Sequence, residues 1–299
     1  MPPESKTLIE VEGHQLTLTN LEKVLYPAAG FTKAAVVDYY ARIAPVLLPH
    51  LSGRALTMVR WPDGVAGPSF FEKRCPPHAP PWVRTGEGYP GIESCVVDDV
   101  ATLVWVANLA SLELHVLQAR VDDPEHPTSM VLDLDPGERT GVLECCAVAL
   151  ELRELLDGLG LVSVVKTSGG KGLHVAAPVA GATAEETKGL ARALGQLLAK
   201  RDPERVTIVM SKEVRRGRVF VDWSQNDRHK TTVCAYSLRA QPRPRVSTPV
   251  TWDEVSDTLD GGDPDALAFE APDVLGRVDR LGDLYAANVT VDQRLPKLG

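Results

Sequence analysis

The chain has 299 residues, 44% of them hydrophobic, and a formal net charge of −8. That length admits one large domain or two modest ones, and that apolar content excludes wholesale disorder. No apolar run reaches the roughly 18 residues of a membrane span, and the start, MPPESKTLIE, lacks the regions of a signal peptide. A cytoplasmic protein with no membrane partner is expected. Cys75, Cys95, Cys145, Cys146 and Cys234 are odd in number and show no zinc spacing, so reduced, buried thiols are expected. The acidic sum argues mildly against nucleic acid, but the distribution argues back. Residues 212–245 hold nine bases against three acids, whereas residues beyond 250 hold eleven acids against four bases. A locally basic face fits nucleotide or nucleic-acid binding.

Residues 7–18 alternate apolar and polar around Gly13, which predicts a small hairpin. Thr19-Asn20 then opens a short turn closed by Pro27. Thr32 is the expected N-cap of a helix through about Leu48, with Val36, Val37, Tyr40, Ile43, Ala44 and Leu47 on one stripe. Residues 54–60 read as a strand. A turn-rich loop follows and carries Phe70 and Phe71; adjacent strand residues face opposite ways, so a core needs at most one of them. Residues 75–91 contain five prolines and predict a surface loop. A strand over 93–97 precedes the apolar run 99–118, which reads as a long helix or helix pair with His115 near its end. The segment 122–127 reads as a loop.

Beyond it lies Met130-Val131-Leu132-Asp133-Leu134-Asp135-Pro136-Gly137. In a strand Asp133 and Asp135 share a face, while Leu132 and Leu134 point into a core. Pro136-Gly137 ends the strand. Two carboxylates there repel unless a cation sits between them, and oxygen ligands suit Mg²⁺ or Mn²⁺. A helix over 141–159, stopped by Gly160, and a strand over 161–166 lead to Thr167-Ser168-Gly169-Gly170-Lys171-Gly172-Leu173-His174. Such a turn leaves amides free to surround an anion, and lysine adds a point charge. It lacks the spacing of a Walker A loop. Next come a strand over 173–177, a helix from Thr183 to Lys200, strands over 206–210 and 218–222, and helical patterns around 251–260 and 277–288. Asp222 ends the last of these strands. If that strand adjoins the one bearing Asp133, three carboxylates could hold two metals. Uneven alternation of strands and helices predicts α+β layers, a mixed β-sheet core flanked by helices.

Each feature alone has a plainer reading: a turn cap for Asp222, a glycine hairpin for Ser168–His174, a core histidine for His115, surface charges for Lys23, Lys33 and Arg239. Together, DLDPG, TSGGKGLHV and VFVDWSQN with KTTVCAYSLRA resemble the primase-polymerases of the archaeo-eukaryotic primase superfamily, most closely the polymerase domain of bacterial ligase D. LTNLEKVLYP, the WPDG…SFFEKR loop, ANLASLELH and VSTPVTWDE extend the resemblance over nearly the whole chain. It implies one polymerase domain over 1–299: an N-terminal part (1–110) contacting DNA ends and template, a catalytic core (111–250) and an acidic helical part (251–299).

By the same resemblance, Asp133, Asp135 and Asp222 hold two divalent ions, Mn²⁺ or Mg²⁺. Ser168, Lys171, His174, His115 and Arg239 contact the incoming nucleotide. Asn20, Lys23 and Lys33 bind a downstream DNA 5′-phosphate, and Phe70 and Phe71 meet template bases. The implied activity is templated extension of a primer 3′-hydroxyl across short gaps at broken ends, with ribonucleotides preferred. Nucleoside triphosphates, gapped DNA, Ku and a DNA ligase are the implied partners, with nucleoid association during repair. Cys234-Ala235 stands where the family pattern has a proline before YSLR, and Val116-Leu117 follows His115 in place of proline-tryptophan. The chain is either a stand-alone relative or an excised domain. Two rival readings are a non-catalytic DNA-end-binding module and a phosphatase with Asp133 as nucleophile. The latter needs Thr or Val where Gly137 stands.

Overall fold

The computed structural model describes residues 5–296. The N-terminal hairpin pairs β1 (Lys6–Val11) with β2 (His14–Thr19). A second small pair, β3 (Val24–Tyr26) and β4 (Phe31–Thr32), leads straight into helix α1 (Lys33–Leu51). Thr32 caps α1, its side chain accepting from the Ala35 N–H. The expected stripe is buried, and Val36, Tyr40, Ile43, Ala44 and Leu47 are all 0% exposed. Strands β5 (Leu56–Arg60) and β6 (Phe70–Glu72) pair antiparallel. Phe70 and Phe71 on β6 are both exposed, so neither serves the core.

Three expectations about the middle of the chain are corrected. The proline-rich stretch is not wholly loop, since β7 (Thr85–Tyr89) pairs with β8 (Ile92–Cys95). The run 99–118 is not helical throughout. Helix α2 (Val100–Asn108) stops at a turn where Ala110 takes a positive φ of 57°, and β9 (Ser111–Leu117) follows. β9 lies between two partners and is buried along nearly its whole length, and Ser111, Glu113 and His115 alternate with Leu112, Leu114 and Val116, a period of two that marks a strand rather than a helix. The segment 122–127 is not a free loop, because β10 (Ala119–Arg120) pairs with β11 (Asp123–Pro127).

The cysteine expectation is corrected as well. Cys75 and Cys95 form a disulfide, their Cα atoms 4.8 Å apart. The Cys75 N–H donates to the Glu93 carbonyl at 2.8 Å, which brings the two residues together at the edge of β8. Cys145, Cys146 and Cys234 are free and buried, as expected.

The rest of the chain builds the main sheet. Its parts are β12 (Ser129–Pro136), α3 (Val142–Gly158), β13 (Val164–Thr167), β14 (Leu173–Pro178), α4 (Ala184–Arg201), β15 (Val206–Thr207), α5 (Lys212–Arg215), β16 (Val219–Asp222), β17 (Thr231–Val233), β18 (Pro249–Val250), α6 (Trp252–Gly261), α7 (Ala271–Leu281) and α8 (Ala287–Thr290). Six strands order as β15-β16-β12-β14-β13-β18, and four as β17-β9-β5-β6. The sheet is mixed, since β15 runs parallel to β16 while the other pairs are antiparallel. The protein is therefore α+β, as expected.

Alternation assigns each face of the six-stranded sheet. Leu132, Leu134, Leu173, Val175, Val165, Val219 and Val221 point back into a core completed by Cys145, Val148 and Leu152 of α3 and Leu194 of α4. Asp133, His174, Lys166 and Asp222, at the intervening positions, point forward. A second core fills the space among α1, α2 and the four-stranded sheet. Among the described residues no helix is long and apolar enough to cross a membrane.

Candidate active site

The forward face of the main sheet carries one row of ionisable side chains, set by strand register. On β12, Asp133 lies opposite Asp222 of β16 on one side and His174 of β14 on the other. His174 in turn lies opposite Lys166 of β13. Directly opposed residues on antiparallel strands have Cβ atoms about 5 Å apart, so four charged or polar groups share one strip of sheet. Asp135, two residues further along β12, joins the same face at its open end.

The row is wired along its length. His174 Nε2 lies 3.4 Å from Asp133 Oδ1, and Lys166 Nζ lies 3.2 Å from His174 Nδ1. Lys166 also donates to Ser247 Oγ at 2.7 Å. Asp222 Oδ1 accepts from the Ser224 N–H at 2.9 Å, and Asp222 Oδ2 accepts from Gln225 Nε2 at 2.9 Å. Arg215 Nη1 reaches Asp135 Oδ2 at 3.2 Å, its guanidinium stacked 3.6 Å above the Phe220 ring.

The electrostatics follow from burial and crowding. Burial, reinforced by the charges of Asp135 and Asp222, pushes the Asp133 carboxyl up to about 7. Burial also raises Asp135, against Arg215. Burial and neighbouring Arg239 push the Lys166 ammonium down to about 7. Burial, with Lys166 and Arg239 nearby, holds His174 well below its ordinary value, so the imidazole is neutral. Carboxylates that resist ionisation beside one another form an environment that a divalent cation relieves. Among the described residues no three candidate ligands converge tightly enough to hold an ion, because Asp135 is turned to Arg215 and Asp222 to Ser224 and Gln225. In residue type and face, three oxygen donors still fit a hard divalent ion.

Beside the row stands the glycine turn. Ser168 closes it, with Oγ accepting from the Gly170 and Gly172 N–H groups at 3.2 Å each. Lys171 projects exposed at the tip. Gly169 has a φ of +72°, and a Cβ there would sit 2.5 Å from Arg239 Cγ. Glycine is thus required twice over, by the left-handed backbone and by the arginine stem crossing it. A Cβ at Gly172 would run into the Leu134 carbonyl of β12, which seats the turn against the carboxylate strand.

Arg239 reaches Glu113 of β9, Nε lying 3.3 Å from Oε1. Glu113 Oε2 lies 2.9 Å from His115 Nε2, two residues along the same strand face. Burial opposes the Glu113 charge, but the hydrogen bond from His115 and the charge of Arg239 hold its carboxyl below the usual value. Burial lowers His115, against Glu113. Phe71 approaches His115 edge-on, with ring centroids 6.3 Å apart.

A separate cleft of about 590 Å³ lies between the N-terminal hairpin and α2. Asn20, Lys23 and Lys33 all line it, joined by Arg60 and His78. Lys23 Nζ pairs with Asp63 at 2.7 Å, and Lys33 Nζ donates to Thr19 Oγ1 at 3.1 Å. The Arg60 guanidinium stacks 5.2 Å from the Phe70 ring, bridging this cleft to the exposed aromatics.

The expected site residues therefore form two groups. Asp133, Asp135, Asp222, Ser168, Lys171, His174, His115 and Arg239 gather around the main row. Asn20, Lys23 and Lys33 gather in the cleft, and Phe70 and Phe71 stand exposed between the groups. Sequence reasoning missed Lys166, Glu113, Arg215, Arg60 and His78. Lys166 and Glu113 carried a usable signal: Lys166 is the one charge of β13, and Glu113 shares with His115 the polar positions that alternate with Leu112, Leu114 and Val116.

A mixed sheet with paired carboxylates at adjacent strand ends and a glycine turn beside them defines a primase-polymerase-type module. Residues 32–285 match the family described as "LigD, primase-polymerase domain". The chain belongs to that family. It is 43% identical over 283 residues to the multifunctional non-homologous end joining protein LigD of Mycolicibacterium smegmatis, with 91% of this chain and 36% of that protein covered. It is 33% identical over 248 residues to the bifunctional non-homologous end joining protein LigD of Bacillus subtilis, covering 82% of this chain and 40% of that protein. The chain thus spans well under half the length of these relatives. Among solved structures, the polymerase domain from Mycobacterium tuberculosis ligase D in complex with DNA superposes with a TM-score of 0.85 at 40% identity. That match covers 92% of this chain and 99% of that one.

Proposed function

We propose that the chain is a template-dependent nucleotidyltransferase that fills short gaps at broken DNA ends in double-strand break repair, with ribonucleotides preferred. The observation that carries this reading is the register Asp222–Asp133–His174–Lys166 across three strand pairs, with Asp135 at its open end and the glycine turn alongside. In the reaction, a primer 3′-oxygen bonds to the α-phosphorus of a nucleoside triphosphate as the bond to the β-phosphate bridging oxygen breaks, and pyrophosphate departs. Two divalent ions, Mn²⁺ or Mg²⁺, held by Asp133, Asp135 and Asp222, would supply activation of the hydroxyl and neutralisation of the leaving group.

The chain's own groups bind and orient. Lys171 and Arg239, at the glycine turn, neutralise the triphosphate. Neutral His174 and His115 offer hydrogen bonds without adding charge. Phe70 and Phe71 meet unpaired template bases, a contact that tolerates any sequence. Asn20, Lys23 and Lys33, with Arg60 close by, hold the downstream 5′-phosphate, a contact that recognises a break and reads no bases. Ku and a DNA ligase are the partners this role calls for, and nucleoid association is the location. The domain division is a single module over 1–299, with DNA contacts in 1–110, chemistry in 111–250 and acidic helices after 251.

The test is primer extension on a gapped duplex with or without a downstream 5′-phosphate, in Mn²⁺ or Mg²⁺, with ribo- or deoxynucleotides. Templated addition that is lost in Asp135→Ala and weakened without the 5′-phosphate supports the reading. Absence of incorporation under every condition, with DNA binding intact, sinks it and favours an end-binding module.

A further inference from the structure

Three buried tyrosines from the N-terminal third converge on one short segment, residues 236–239, which ends at Arg239. Tyr39 Oη donates to the Tyr236 carbonyl at 2.8 Å, and Tyr26 Oη donates to the Arg239 carbonyl at 3.1 Å. The Leu238 N–H donates to Tyr40 Oη at 3.1 Å, and Tyr40 donates onward to the Leu112 carbonyl at 2.7 Å. Tyr26, Tyr39 and Tyr40 are 0%, 1% and 0% exposed. A phenylalanine would bury the same ring, so packing alone does not call for three hydroxyls.

The segment needs restraint. Tyr236 has a φ of +65°, a left-handed conformation that a side chain disfavours. Its own hydroxyl donates to Asp283 Oδ1 at 2.7 Å. Such a conformation persists only where surrounding contacts over-determine it, and such places cluster at functional sites. What it delivers is Arg239, threaded between Gly169 of the glycine turn and Glu113 of β9.

Tyr26 differs from the other two in where its strand leads. It ends β3, which begins directly after Lys23 and pairs with β4 through Tyr26 and Phe31. The Lys33 N–H donates to the Lys23 carbonyl at 2.8 Å, closing that small unit. Lys23 and Lys33 line the N-terminal cleft. Deep burial keeps the Tyr26 hydroxyl protonated, and therefore a donor, at every working pH.

We propose that Tyr26 is a positioning residue whose hydroxyl fixes the Arg239 backbone beside the nucleotide and ties it to the small β3–β4 unit that joins Lys23 to Lys33 of the cleft. The inference rests on the nucleotidyltransferase reading above and gives it a regulatory consequence. A 5′-phosphate in the cleft and a nucleoside triphosphate at Arg239 strengthen each other's binding by the same factor, as linkage requires.

The test is Tyr26→Phe, which keeps the ring. Equilibrium binding of a nucleoside triphosphate is measured on a gapped duplex whose primer ends in a dideoxynucleotide, with and without the downstream 5′-phosphate. KM and kcat are measured on the extendable primer. Loss of one neutral hydrogen bond predicts about three- to tenfold weaker nucleotide binding on the phosphorylated gap. KM should rise by that factor, kcat should stay within about twofold, and the ratio between phosphorylated and unphosphorylated gaps should move toward one. Nucleotide binding and phosphate dependence equal to the parent protein's overturn the proposal. So does a lower melting temperature with KM unchanged, which would mark a merely structural hydroxyl. A parent protein that binds nucleotide yet adds none sinks the nucleotidyltransferase reading, and the binding comparison still decides the role of Tyr26. A parent that binds no nucleotide overturns both.

Discussion

Asp133→Asn should make the metal-free protein more stable while abolishing nucleotide addition. The Asp133 carboxyl sits at about 7, against an ordinary value of 3.8, because it is buried and faces Asp135 and Asp222. Ionising it in place therefore costs about 4 kcal/mol. Its side chain remains 23% exposed, so solvent screens part of that, and the expected gain at pH 8 is about 2 kcal/mol. The sign of the pH dependence follows. The folded state holds this proton more tightly than the unfolded state between 3.8 and about 7, so the native protein loses stability as pH rises through that window. Asparagine has no proton to lose. The stability difference between the two proteins should thus be small near pH 4, grow toward pH 7 and level off above it. The assay is urea denaturation of variant and parent from pH 4 to pH 8.5 in chelator. Added Mn²⁺ should stabilise the parent more than the variant. A variant less stable than its parent at pH 8, or a difference flat across pH, would refute the crowding argument.

Other perturbations address the supports of the site. Gly169→Ala places a methyl against the Arg239 stem at a φ of +72°; it should cost about 1–2 kcal/mol in denaturant unfolding and weaken nucleoside triphosphate binding, as titration would show. Glu113→Gln takes away the anion that holds Arg239 and His115; KM for nucleotide should rise about fivefold with gapped-DNA affinity unchanged, and an unchanged KM would show that Arg239 does not need this anchor. Replacing Cys75 and Cys95 together by serine opens a link spanning 20 residues and should lower unfolding free energy by about 3 kcal/mol. Mass measurement of the native protein under alkylation should show three reactive thiols after unfolding, where full reduction would expose five.

Much of the architecture could be read from periodicity. The stripe of α1, the Thr32 cap and the alternation around Asp133 each state a local rule that the fold obeys. So does the helix opening at Thr183, whose side chain caps α4. The adjacency of Asp133 and Asp222, conditional in the sequence, is a fact of register in the structure. Where reading failed, a boundary lacked local punctuation or the deciding contact was tertiary. β9 alternates polar and apolar, but it follows the apolar α2 across a turn at Ala110 that has no glycine or proline, so the two merge into one apparent helix. The Cys75–Cys95 link joins residues whose approach depends on a backbone bond to Glu93, which no spacing rule encodes. Lys166 looked like one more strand residue because its partners, His174 and Ser247, lie 8 and 81 positions away. The tyrosine clamp is more remote still, since Tyr26 and Arg239 are separated by 213 residues.

The most direct test of the central claim is the stoichiometry of phosphate products during primer extension on a gapped duplex. One pyrophosphate released per nucleotide added, with both signals lost together in Asp222→Asn, is the result that nucleotidyl transfer on the Asp133, Asp135 and Asp222 row predicts. Release of orthophosphate without extension, or extension that survives in Asp222→Asn, would contradict it.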